Sequence, residues 1–315
     1  MTMHKLYHPS PLIYSSVFSR LLGSTVYLKI ESLQPSGSFK NRGIGFLCQY
    51  QADQGCQGFV TSSGGNAGIA VAYSGRVLNK PVKVVIPETT PKMISEKIRA
   101  EHAEVILCGK IWDDADKKAR AIAEECHFSY IHPFDERHIW DGHATLVDEL
   151  AETGVHFDAI ALSVGGGGLF SGIAQGCFNH DWQNIEFITA ETEGAASFAK
   201  SLEAGKLVTL DKIETIALTL GAKQVTHQAL EWASRFTVHP ELVTDKAAVT
   251  ACLRFCDDHR LMVEPACGAT LALLYEQRKV LKQFKTIGVI VCGGNSVSRA
   301  LLNKWEKDYQ ISIST

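Results

Sequence analysis

The chain has 315 residues, room for roughly two domains at about 150 residues each. Its 31 Lys+Arg against 34 Asp+Glu give a formal net charge of −3, which argues against nucleic acid or an anionic membrane as partner, and 45% hydrophobic with 21% charged residues argues against disorder. Nine cysteines without a C-x-x-C pair argue against a disulfide framework or zinc site, Met1 to Tyr14 holds no apolar signal core and no run approaches about 18 apolar residues, so a cytoplasmic protein is expected.

Short apolar runs alternate with longer amphipathic ones. Thr25 to Ile30 reads as a strand and Phe39 to Gln51 as a helix weakened by its glycines. Gly58 to Thr61 and Val82 to Ile86 read as strands around a helix over Asn66 to Leu78. Pro91 opens the next helix at its favoured first position; Val105 to Cys108 and Asp113 to Glu125 repeat the unit. Ala159 to Val164 and Ile185 to Ala190 are strands flanking a glycine run and a helix over Phe170 to Cys177. Lys285 to Val291 is the last strand, with a helix after Gly294. Apolar strands between helices predict an α/β fold with mostly parallel sheets covered on both faces. No Pro/Gly/Ser linker appears, so interleaved domains are expected.

Four strand-to-helix connections carry candidate chemistry. The first, Pro35-Ser36-Gly37-Ser38-Phe39-Lys40-Asn41-Arg42-Gly43, puts Lys40 near a helix N-terminus that Ser36 to Phe39 can cap. That positive potential, with burial, lowers a lysine pKa, and a neutral amine attacks carbonyls; an ordinary surface lysine fits as well. The second, Ser62-Ser63-Gly64-Gly65-Asn66-Ala67-Gly68, offers hydroxyls and backbone N–H groups to a carboxylate, or is a plain tight turn. The third, Gly165-Gly166-Gly167-Gly168-Leu169, exposes N–H donors at a helix start and suits a phosphate. It is not the G-x-G-x-x-G fingerprint, although Glu191 stands about where a ribose-binding acid would, which keeps a nicotinamide cofactor open. The fourth is Val291-Cys292-Gly293-Gly294-Asn295, where Cys292 also reads as a simple buried thiol. All four lie at carboxyl ends of strands, where open α/β sheets bind ligands.

Over nearly its whole length the chain resembles the fold-type II pyridoxal-phosphate enzymes, the tryptophan synthase β family. It is nearest the catabolic L-serine/threonine dehydratases, the serine dehydratase and serine dehydratase-like branch. The resemblance rests on Gln34-Pro35-x-Gly37-Ser38-Phe39-Lys40-x-Arg42-Gly43, Ser63-Gly64-Gly65-Asn66-Ala67-Gly68, Ser163-Val164-Gly165-Gly166-Gly167-Gly168-Leu169, Val263-Glu264-Pro265-Ala266-Cys267-Gly268-Ala269 and Cys292-Gly293-Gly294-Asn295. It implies two interleaved domains, each an open, mostly parallel twisted sheet flanked by helices. Residues 1–40 plus 141–315 would form the large cofactor-binding domain and 41–140 the small substrate-carboxylate domain.

The same resemblance implies pyridoxal 5′-phosphate as cofactor and an L-amino acid as substrate, with no nucleic acid, no membrane and a homodimeric assembly. Lys40 would hold the cofactor as a Schiff base and act as base at the substrate Cα. Phe39 would pack on the ring, Asn66 contact the phenolic oxygen, Gly165 to Leu169 (with Gly166, Gly167 and Gly168) hold the phosphate, and Cys292, beside Gly293, meet the pyridine nitrogen. Ser63, Gly64, Gly65, Asn66 and Ala67 would bind the substrate carboxylate. A neutral thiol at 292 makes the ring a weaker electron sink than an aspartate would, which suits β-elimination. Gly64 stands where related racemases place a serine, so dehydration is favoured over racemisation, and the missing side chain is expected to leave room beside the substrate. Glu191, Ala195 and Ser197 match a cation motif whose serine suits a monovalent ion such as K⁺; a solvated acidic turn is the plain reading. His132, His138, Trp140 and His143 read as a structural junction. The chain ends about 20 residues after Asn295, so no C-terminal regulatory domain is expected. A racemase, a β-replacement synthase, a nicotinamide oxidoreductase and a non-catalytic amino-acid sensor are the rivals.

Overall fold

The structure, a computed structural model, describes residues 5–312. The chain opens with β1 (Leu12–Tyr14), α1 (Ser16–Leu22), β2 (Thr25–Ile30) and α2 (Lys40–Asp53). Then follow β3 (Phe59–Thr61), α3 (Asn66–Val77), β4 (Val82–Ile86), α4 (Lys92–Ala100), β5 (Glu104–Leu107), α5 (Trp112–Cys126) and β6 (Ser129–Tyr130). The second half runs α6 (Arg137–Glu152), β7 (Ala159–Ser163), α7 (Gly168–Asn179), β8 (Glu186–Thr192), α8 (Ser197–Ala204), α9 (His227–Ala233) and β9 (Val238–Val243). It closes with α10 (Asp245–His259), α11 (Pro265–Tyr275), β10 (Thr286–Val291) and α12 (Arg299–Asp308).

Two sheets result. The larger has the order β1-β2-β10-β7-β8-β9 and the smaller β5-β4-β3-β6. All pairings are parallel except that of edge strand β1, which runs antiparallel to β2 with Leu12 beside Lys29. The strands of the smaller sheet all lie in sequence between β2 and β7 of the larger. The parallel strands carry apolar residues on both faces because helices cover both: all five residues of β7 are buried. Helix α11 is buried along its whole length and packs against β7, β8, β9 and β10, as an all-apolar helix must. Where a helix was expected directly after Gly294, α12 starts only at Arg299, with Ser298 Oγ accepting from Leu301 N. The histidine-rich stretch read as a junction runs into α6, which turns His143 inward.

Parallel pairing aligns strand ends. Val291 of β10 lies beside Ile30 of β2, so the connections leaving these strands emerge together. What fixes α2 there is a buried ionic cluster. Arg42 grips Glu31, the residue after β2, through Nε and Nη2, both at 2.8 Å, and Glu149 of α6 through Nη1 and Nη2 at 2.7 and 2.8 Å. Lys29 completes it, its Nζ 2.5 Å from Glu149 Oε2. Two cations balance two carboxylates, and neither Arg42 nor Glu31 has exposed side-chain surface. Burial opposes the charge on Glu149, but the hydrogen bonds from Arg42 and Lys29 hold its carboxyl below the usual range. Breaking such a cluster from one side strands a charge out of water. Arg42→Met should therefore cost about 3–5 kcal/mol of stability in urea unfolding; a loss below about 1 kcal/mol would show that the cluster does not anchor α2.

Candidate active site

Lys40 is the first residue of α2, as its motif predicts, but no side chain caps the helix. The Ser38 hydroxyl is buried without a partner. Instead the segment docks on the continuation of β10: Phe39 N–H donates to Cys292 O at 2.9 Å, Gly294 N–H to Gly37 O at 3.1 Å, and Ser38 bridges Gly293. Gly37 has φ +75°, and a Cβ there would sit 2.5 Å from Asn295 Oδ1, so glycine is required. The Lys40 amine donates to Pro133 O at 2.6 Å and sits 5.1 Å from the Phe39 ring centre and 5.8 Å from that of Phe134. Burial lowers its pKa to about 7, the Cys292 sulfur partly opposing. A sizeable fraction of neutral amine is thus present at physiological pH. The neighbouring imidazoles add no charge: burial pushes His132 down to about 4 and His143, packed 4.9 Å from the Phe39 ring, well below its ordinary value.

The glycine run follows β7 and leads into α7. The N–H groups of Gly165, Gly166, Gly167, Gly168 and Leu169 find no acceptor among the described residues. Gly167 has φ +88°, and a Cβ on Gly166 would fall 2.5 Å from the Phe134 ring. Five unpartnered donors at a helix start, in a cradle that side chains would fill, fit a phosphate. The loop after β3 has the same character: the N–H groups of Gly64, Gly65, Asn66 and Ala67 lack acceptors among the described residues, which fits a carboxylate. With a lysine whose pKa burial lowers to about 7 and the buried Cys292 thiol, 3.5 Å from Ser163 Oγ, the residues present fit pyridoxal phosphate.

Gly64 departs from expectation. A Cβ there would point at Thr90, 2.7 Å from Oγ1 and 2.9 Å from Cγ2, and 3.4 Å from Ile86, rather than into open space beside the substrate. The cation motif starts beside the strand that leads into the glycine run, since Ala190 of β8 pairs with Ser163 of β7. Glu191 accepts from Phe198 N at 2.8 Å and Ala199 N at 2.7 Å, so both oxygens cap α8 instead of meeting a ribose. Burial pushes its pKa up to about 7. Ala195 is buried, as is the unpartnered Ser197 hydroxyl, and no cluster of three or more His, Cys, Asp or Glu suited to a metal occurs among the described residues.

Several residues around the cleft received no role from sequence. Pro133 and Phe134 face Lys40 and the glycine run from the segment before α6. Glu264 and Asn295 lie inside quoted motifs, and Thr219 in none. Glu264 is fully buried and accepts from Asn66 Nδ2 at 2.7 Å and Thr219 Oγ1 at 2.8 Å. A glutamate amid the apolar run Leu261 to Ala269 was the available signal for it.

Comparison with known proteins agrees with this geometry. The family described as "Pyridoxal-phosphate dependent enzyme" matches residues 4–293. Serine dehydratase-like of Mus musculus is 45% identical over 304 residues, covering 94% of this chain and 92% of the mouse protein. L-serine dehydratase/L-threonine deaminase of Homo sapiens is 44% identical over 314 residues, covering 96% and 95%. Among solved structures, a fungal L-serine ammonia-lyase from Rhizomucor miehei superposes with a TM-score of 0.92 at 36% identity, covering 97% of this chain and all of that one. Maize serine racemase gives 0.88 at 28% identity, covering 96% and 92%.

The Gly64 geometry is testable without turnover. Gly64→Ser should cost about 1–3 kcal/mol in urea unfolding by overpacking against Thr90. Thr90→Ala in the same chain should return most of it; an additive or larger loss would show that Thr90 is not the obstacle.

Proposed function

The chain belongs to the pyridoxal-phosphate-dependent enzyme family, and we propose that it removes water from L-serine and L-threonine, releasing ammonia with pyruvate or 2-oxobutyrate. The observation that carries this reading is the desolvated Lys40 amine, with a pKa of about 7, beside the Phe134 ring that also covers the glycine run and its unpartnered N–H groups. Bound pyridoxal phosphate supplies an aldehyde that captures amines and a ring that draws electrons from the adjoining carbon.

The chain's own residues do the rest. Lys40 is the amine that would hold the aldehyde, and its Nζ, once free, takes the proton from the substrate Cα. The N–H groups of Gly165 to Leu169 would hold the phosphate, Phe39 would flank the ring, and Cys292, next to Gly293, would face the ring nitrogen. A thiol there, unlike a carboxylate, would give that nitrogen no counter-charge, which suits a reaction in which the departing β-hydroxyl carries the charge away. Ser63, Gly64, Gly65, Asn66 and Ala67 would orient the substrate carboxylate. Because a Cβ at position 64 would point at Thr90, the glycine there does not by itself separate elimination from racemisation. The proposal treats 41–140 as the substrate-carboxylate lobe and 1–40 plus 141–315 as the cofactor lobe; the strands of the smaller sheet lie within the first range. Nine free cysteines suit a cytoplasmic enzyme. The proposal includes K⁺ at Glu191, Ala195 and Ser197, where one carboxylate gives too little charge for a dedicated divalent site.

Purified protein should form pyruvate and ammonia from L-serine without D-serine, as chiral chromatography would establish. Lys40→Ala should abolish both products and the borohydride-trapped cofactor adduct. Because only the neutral amine reacts, capture of pyridoxal phosphate by the apo-protein should quicken as pH rises through about 7 and slow below it. An adduct trapped on another lysine would remove Lys40 from this role. Turnover should rise with added K⁺ and be indifferent to chelator; loss in chelator with recovery by Mg²⁺ would assign a divalent ion instead.

A further inference from the structure

Glu264 is a fully buried carboxylate with four donors and, among the described residues, no ion pair. Oε1 accepts from Asn66 Nδ2 at 2.7 Å and Thr219 Oγ1 at 2.8 Å; Oε2 accepts from Ser296 N and Oγ, both at 3.0 Å. Four lone-pair sites are thereby filled. Its backbone N–H donates to Gly293 O at 3.2 Å, and a Cβ on Gly293 would lie 3.4 Å from Asn66 Nδ2 and 3.5 Å from Glu264 Oε1. The pair therefore abuts the residue next to Cys292.

The network leaves the Asn66 amide one orientation. Asn295 Nδ2 must donate to a backbone carbonyl, Ser36 O, at 2.6 Å, and its other N–H reaches Asn66 Oδ1 at 2.9 Å. A flipped Asn66 would set its oxygen against the carboxylate and its nitrogen against the Asn295 nitrogen. One acceptor that cannot donate stands at each end of the chain: Ser36 O and Glu264. Asn66 Oδ1 is consumed within the protein and one Nδ2–H goes to Glu264, leaving the second N–H.

We infer that Glu264 is a positioning residue, which by holding one N–H of Asn66 reserves the other, a donor and not an acceptor, for an oxyanion of the bound cofactor. This rests on the pyridoxal phosphate site proposed above, with Asn66 also contacting the ring's phenolic oxygen as the family resemblance implies. Glu264 also joins the two halves of the site. Asn66 begins α3 on the smaller sheet, Thr219 and Ser296 belong to connections of the larger, and Lys97 of α4 donates to Asn295 O at 2.7 Å.

Reversing the polarity of the pair separates positioning from scaffolding. In Glu264→Gln, an amide cannot accept from Asn66 and from Ser296 N–H together, so one donor faces another. Asn66→Asp alone sets two carboxylates against each other. The double variant Asn66→Asp/Glu264→Gln is again complementary: the glutamine Nε2 donates to the aspartate, its Oε1 accepts from Ser296 N–H, and Asn295 still donates to position 66. What changes is that position 66 has no hydrogen left to donate.

The readouts are the thermal midpoint of the apo-protein, the affinity for added pyridoxal phosphate by absorbance titration, and the absorption maximum of the bound cofactor. Glu264→Gln should bind pyridoxal phosphate about tenfold or more weakly, with a displaced absorption band. The double variant should regain much of the thermal midpoint lost in the single variants while keeping the weak affinity and displaced band. Recovery of affinity and band along with stability would overturn the inference, showing Glu264 to be scaffolding alone. So would a Glu264→Gln protein with the wild-type band and affinity. If the single variants do not fold, the double variant decides by the same criterion. Wild-type protein that takes up no pyridoxal phosphate would instead refute the underlying site.

Discussion

Two cations and two carboxylates taken out of water determine where α2 starts, and the candidate site depends on that start. Lys29, Arg42, Glu31 and Glu149 neutralise one another, and the guanidinium gives two N–H bonds to each of two carboxylates, which the three donors of a lysine could not do. Such a cluster is stable only when complete, because each partner's removal leaves an uncompensated charge. Arg42 is two residues after Lys40. At about 100° per residue, the two side chains leave the helix roughly 200° apart. With Arg42 held in the ionic pocket, Lys40 is turned the opposite way, towards Pro133 and the glycine run. Aliphatic packing would fill that volume without dictating the rotation of the helix.

Burial acts in opposite senses on the groups around Lys40. It favours the neutral form of Lys40, His132 and His143, since each is charged when protonated. It raises the thiol pKa of Cys267, next to Cys292, well above normal, because there the charged form is the deprotonated one. The backbone N–H groups of the two loops provide a fixed positive potential in the cleft. These dipoles need no reorganisation when an anion arrives, and both glycine-bearing loops present them from strand ends that parallel pairing brings together. Glu264 supplies negative charge, but all its lone pairs are engaged.

Comparison of sequence and structure separates local rules from long-range ones. Strands such as Val82–Ile86 and helices such as Asn66–Val77 were legible because apolar periodicity and Gly/Pro punctuation are local. The glycine run and the lysine motif were legible because a phosphate cradle and a buried amine need particular residue types at short spacing. Edge strand β1, two-residue β6 and the fully buried α11 carry little or no periodic signal, so the reading passed over them. Gly64 shows a different limit: glycine there is explained by Thr90, 26 residues on, which no local pattern reveals.

The amino-acid sequence alone determined the fold class, the four strand-end connections and the chemical types gathered at them, because each follows from the preferences of a few consecutive residues. The tertiary structure decided which groups meet. It set the direction in which Lys40 points, through an ion cluster spanning Lys29 to Glu149, and the placement of Phe134 over Gly166. It also set the orientation of the Asn66 amide, through Glu264, 198 residues away. Desolvation and hydrogen-bond polarity are properties of a surrounding shell, and this shell is drawn from segments that only the packed sheets bring into contact.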